Sequence, residues 1–240
     1  MVVSFLSAAL SFSFDTDARW PVPSRSVGTR PPSSRSLATS FGSHMVLHAM
    51  AASLWGFGSP NEAVSVTVQG QLVARATVAA NGTWSASLPP QPPTVNQSLG
   101  VSIVVTVGGH SETLTDVLFG EVWLGSGQSN MAFTVAQGFN ASAECEDAVN
   151  HPQIRLFTAR PNFDYSKYHP NRSALDFNAS EVYPWQRPTS DSVCGGYDFD
   201  RFSAVAFYFC RELQRKCGCA TRCRFMPLPN THSMKNDRVP

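Results

Sequence analysis

A chain of 240 residues is long enough for one large domain or two small ones. Eighteen Lys and Arg against seventeen Asp and Glu give a formal net charge of +1, which argues against nucleic acid as a partner. Apolar residues make up 42%, enough to build a core, yet no run of eighteen apolar residues reads as a membrane span.

Residues 1–37 read as a leader or disordered segment. The opening MVVSFLSAALSFSF is apolar, as in a secretory signal, but no Lys or Arg precedes it and no clear A-x-A site follows. Residues 18–61 carry no acid and include Arg19, Arg25, Arg30 and Arg35. That composition also fits an organelle transit peptide. Five N-x-[ST] sequons occur, at Asn81, Asn96, Asn140, Asn171 and Asn178. Chance gives about one or two, so a glycosylated protein of the secretory pathway, secreted or lysosomal, is expected.

Residues 38–116 read as all-β. Ala63 to Val68 alternates apolar and polar, Leu72 to Ala79 alternates again, and Asn81-Gly82 is a hairpin signal before TWSASL. Val101 to Val107 meets Gly108-Gly109 and then HSETLT, a second hairpin. Short strands at this spacing predict a small β-sandwich, with Trp55 and Trp84 in its core.

At Val117 the pattern changes to α/β. Val122-Trp123-Leu124 reads as a buried parallel strand. It leads into Gly125-Ser126-Gly127, where Gly125 and Gly127 can take positive φ, and then to Ser129. A strand feeding a tight turn is how α/β hydrolases expose a nucleophilic hydroxyl, although a serine at a helix start is also an ordinary cap. Ile154 to Phe157 is a second strand, and residues 160–201 show no clear element. Residues 202–216, FSAVAFYFCRELQRK, form the clearest helix, with Phe202, Val205, Ala206, Phe209 and Leu213 on one face.

The string GEVWLGSGQSNM resembles the first block of the sialate O-acetylesterase family, carbohydrate esterases of the SGNH type. The match runs through Gly120, Glu121, Val122, Trp123, Ser126, Gly127, Gln128, Ser129, Asn130 and Met131. Upstream, Met45, Val46, Leu47, Trp55, Gly56, Phe57 and Pro60 also match, with His48 where glutamine is usual and Asn61 where glycine is usual. The helix of residues 202–216 is similar as well. The resemblance implies a β-sandwich (38–116) followed by an incomplete α/β SGNH-hydrolase domain of flavodoxin-like three-layer type (117–216). It implies Ser129 as nucleophile and, through its backbone N–H, as oxyanion donor, with Gly127, Gln128 and Asn130 shaping the turn. The implied substrate is an O-acetylated sialic acid or other sugar, and no cofactor or metal is implied.

The resemblance stops near Lys216. The family's D-x-x-H motif is missing: Phe41, Met45, Val107, Ala148, Ser166 and Pro229 stand three residues before the six histidines. The family's later glycine and asparagine oxyanion strings are missing too. Residues 217–240 read as an aberrant tail without periodicity. Cys217, Cys219 and Cys223 lack zinc-site spacing; with Cys145, Cys194 and Cys210 they allow fifteen disulfide pairings. The expected function is therefore a serine esterase of this type, inactive as a truncated chain. The alternatives are a non-catalytic carbohydrate-binding or interaction protein, or a fragment from a faulty gene model. Oligomeric state is left open.

Overall fold

The computed structural model describes residues 36–95, 100–127, 129–159, 176, 182–195, 201–217 and 221–227, all within the folded unit Pro32–Pro240. The leader signals before Ser36 lie outside the described residues.

The strands are β1 (Val46–His48), β2 (Ala52–Phe57), β3 (Ala63–Val68), β4 (Gln71–Thr77), β5 (Thr83–Leu88), β6 (Val101–Val107), β7 (His110–Gly127), β8 (Ile154–Ala159), β9 (Val182–Gln186) and β10 (Thr221–Pro227). The helices are α1 (Ser129–Ala132), α2 (Ala141–Asp147), α3 (Ser190–Cys194) and α4 (Ala204–Cys217). One mixed sheet runs β4-β3-β6-β7-β10-β8-β9, with β1 also paired to β7, and β2 and β5 form a separate two-stranded sheet.

Alternation dictates the N-terminal packing. Val64, Val66 and Val68 of β3 and Ile103, Val105 and Val107 of β6 point one way, because side chains alternate along a strand. They share one apolar core with Leu54 of β2 and Trp84, Ala86 and Leu88 of β5. Fully burying a Val- or Leu-sized side chain is worth about 1.5–3 kcal/mol, so this cluster dominates the local stability. The β6–β7 hairpin forms as expected: Val107 pairs with His110, and Gly108 and Gly109 take φ of 54° and 88°, which the tight turn demands.

The Asn81-Gly82 turn does not make the expected hairpin. β4 pairs with β3 and β5 with β2, so this turn carries the chain from one sheet to the other. Asn81 Oδ1 accepts from the Thr83 backbone N–H at 3.0 Å, an Asx turn that needs no strand pairing. Asn61 takes φ of 69°, the left-handed conformation that asparagine tolerates and glycine prefers.

The expected boundary at 116/117 falls inside β7. Its first half is antiparallel to β6, and its second half is parallel to β1 at Leu118–Gly120 and to β10 at Glu121–Gly127. The described residues thus form a mixed sheet with a two-stranded companion and few helices, and a separate sandwich is not delimited among them.

Three further expectations change. Residues 160–201 are not featureless, since β9 and α3 lie there; β9 contains Pro184 and α3 is one turn long, so neither shows a period. Residues 221–227 of the tail form β10, parallel to both β7 and β8; backbone ladders on both sides satisfy its polar groups without any side-chain pattern. The inner face of α4 is Ala206, Phe207 and Cys210, with buried Phe202 just before the helix, whereas Val205 and Phe209 are about half exposed. The apolar run is wide enough to allow either stripe, and packing over Ile154 and Leu156 of β8 selects this one.

Candidate active site

β7 delivers the chain to Gly127, and Ser129 is the first residue of α1. The strand-to-helix placement expected for Ser129 is the one found. Gly127 is required for a different reason than expected: neither Gly125 nor Gly127 takes positive φ, and a Cβ on Gly127 would stand 2.8 Å from Met131 Cβ. The glycine lets α1 fold back tightly on the strand end. Asn130 is exposed within α1. Gln128 lies outside the described residues.

α4 braces this turn. The Ala204 N–H donates to Phe133 O at 2.7 Å, Thr134 bridges Ser203, and Ser203 Oγ reaches Met131 Sδ at 3.4 Å. Thr134 and Ser203 are both buried. Beyond, α2 and α3 are joined by the Cys145–Cys194 disulfide, with Cα atoms 6.0 Å apart. Cys210 is also disulfide-bonded.

His48 and His151 serve local structure. His48 Nδ1 accepts from the N–H groups of Met50 and Ala51. His151 Nε2 pairs with Asp147 Oδ2 at 3.0 Å; hydrogen bonds from Asn150 and then His151 hold the Asp147 carboxyl below its usual range. His169 and His232 lie outside the described residues. Among the sequons, Asn81 is half-buried in its turn and Asn140 is exposed with φ of 58°, while Asn96, Asn171 and Asn178 lie outside the described residues. Among the described residues, no group of three or more His, Cys, Asp or Glu is placed to hold a metal, and no helix is long and apolar enough to cross a membrane.

Sequence reasoning missed the strongest charge cluster. Asp116, with φ of 55°, sits where β7 passes from its antiparallel to its parallel half. Its carboxylate accepts from Arg155 at 3.0 and 3.2 Å, from Arg187 Nε at 3.0 Å, from His44 Nδ1 at 2.7 Å and from the Gly100 N–H at 3.0 Å. Burial by itself raises its pKa, but His44, Arg155, Gly100 and Arg187 together outweigh that and hold it low. Arg155 is wholly buried; burial pulls its pKa down to about 10 although the Asp116 charge opposes this, so it stays charged at neutral pH. The signal was present: an arginine inside I-R-L-F-T-A must have a buried partner. Nothing local says that the partner is 39 residues away.

No family model matches the sequence. The chain is 36% identical over 169 residues to the sialate O-acetylesterase of Mus musculus, covering 68% of this chain and 29% of that protein. The chain is a relative of the sialate O-acetylesterases. The Homo sapiens protein of that name is 36% identical over 172 residues, covering 68% of this chain and 30% of that protein. This chain thus spans less than a third of the length of those sialate O-acetylesterases. A solved carbohydrate acetylesterase from Xanthomonas citri shares the fold, with a TM-score of 0.63 at 24% identity over 80% of this chain and 40% of that one.

Proposed function

We propose that Ser129 is the nucleophile of a serine esterase acting on O-acetyl groups of sugars, sialic acids among them. The observation that carries this reading is the position of Ser129, first in α1 immediately past the end of a parallel-paired strand. The hydroxyl oxygen attacks the acetyl carbonyl, the sugar alcohol leaves, and water cleaves the acetyl-serine. The Ser129 backbone N–H is one oxyanion donor, and Gly127 and Asn130 flank it in the turn.

The reaction needs a base, and this sequence contains no D-x-x-H motif. General-base help is worth about 10²–10⁴-fold, and each oxyanion donor about 10²–10³-fold. The 240-residue chain by itself therefore hydrolyses esters slowly. The test is aryl-acetate turnover by the purified chain and by Ser129→Ala. Similar slow rates are expected. Fast turnover abolished by Ser129→Ala would show that a base is already present, and His151 is the first described candidate. The sequons and the Cys145–Cys194 disulfide support a secretory setting, since disulfides persist in oxidising compartments.

A further inference from the structure

Cys210 is disulfide-bonded, and the chain has six cysteines from which its partner can come. Cys145 and Cys194 are bonded to each other. That leaves Cys217, Cys219 and Cys223. Cys217 is the last residue of α4, and Cys210 lies in the middle of the same helix. A helix rises about 1.5 Å per residue, so these two Cα atoms stand about 10 Å apart, whereas a bridge needs them within about 7 Å. This rules out Cys217.

Sheet register points to one of the remaining two. Cys223 in β10 is in register with Trp123 of β7 on one side and with Leu156 of β8 on the other. Positions in register across neighbouring strands share a face of the sheet. For this row it is the face that α4 covers. Trp123 meets Phe209 edge-on, with ring centroids 5.1 Å apart, and Leu156 shares an apolar cluster with Cys210. Phe209 and Cys210 are consecutive, so the row of Trp123, Cys223 and Leu156 runs beneath this turn of α4. The next residue of β8, Phe157, belongs to the core on the opposite face, so a slip of one residue would carry the row away from the helix. Cys210 has no exposed surface, as a bond made inward to the sheet requires.

We propose that Cys210 is bonded to Cys223, so that α4 is stapled covalently to β10. The bond joins the two Sγ atoms. Each thiol loses one proton and one electron, and a small-molecule disulfide such as oxidised glutathione takes them up and is reduced to two thiols. β10 lies between β7 and β8, so the staple holds the strand beside the one that leads to Ser129.

Trypsin separates the candidate pairings, because it cuts after Lys and Arg. It yields peptide 202–211 with Cys210, peptide 217–222 with Cys217 and Cys219, and dipeptide 223–224 with Cys223. The test is mass spectrometry of the 240-residue chain, made in an oxidising secretory host, alkylated while folded and digested without reduction. The expected product is 202–211 joined to 223–224, lost on reduction of the digest. Replacing Cys217→Ser and Cys219→Ser together should leave that linked pair in full yield. Peptide 202–211 joined to 217–222 overturns the proposal. So does peptide 202–211 that carries the alkyl label, or a linked pair that vanishes in the double variant.

Discussion

Arg155 lies near the start of β8 with no exposed side-chain surface, and Asp116 is the charge that makes this tolerable. Removing one partner of a buried pair leaves the other uncompensated, which costs about 3–5 kcal/mol. Asp116→Asn should lose that amount in urea unfolding, with the midpoint shifted. The pH dependence follows from the lowered Asp116 pKa. A carboxyl with a depressed folded value contributes stability that is fully present above its unfolded value of about 3.8 and is lost as pH falls through the folded value. The wild type should therefore lose its advantage over Asp116→Asn in acid below about pH 3.8. A gap between the two proteins that stays constant down to pH 2 would contradict this assignment. At the same scale, Gly127→Ala would press its methyl against Met131, and a cost of about 1–3 kcal/mol is expected from the same urea measurement. The sequence advertised Ser129 and the glycine beside it, but their pattern could not tell a need for positive φ from a need for close approach.

Elements with a strong period were legible. β3 and β6 occupy the expected residues, because alternating valines leave one register. α4 was also legible as a helix, but its buried stripe was not: with Val205, Phe207 and Phe209 all apolar, only contact with β8 and α1 decides which ones face inward. β9, α3 and β10 are short and held by pairing, capping or a disulfide, and such causes leave no period in the sequence. The α2–α3 pair shows the consequence. Cys145 and Cys194 are 49 residues apart, and closing a loop of that length is worth about 4 kcal/mol in the chain-entropy account. Cys145→Ala with Cys194→Ala should lower unfolding stability by about 2–4 kcal/mol, measured against the oxidised wild type. An unchanged midpoint would mean that the bridge does not constrain the unfolded chain.

On the scale of the whole molecule, β7 ties the N-terminal strands to the Ser129 turn in one continuous strand. Sequence patterning placed a boundary at Val117 because the period changes there, yet a strand can keep its path while its partners change from antiparallel to parallel. Expressed through a secretory pathway, the chain should carry glycan at exposed Asn140 or at Asn81, read as a mass shift on glycosidase treatment; unmodified peptides at both would remove the support for that route. The central claim is that Ser129 is the nucleophile presented by β7. Its most direct test is aryl-acetate hydrolysis by a chimaera in which residues 1–216 are followed by the remaining C-terminal region of the mouse sialate O-acetylesterase, assayed with and without Ser129→Ala. The account predicts turnover that Ser129→Ala reduces by about 10³-fold or more. Turnover of the chimaera that survives Ser129→Ala would contradict it.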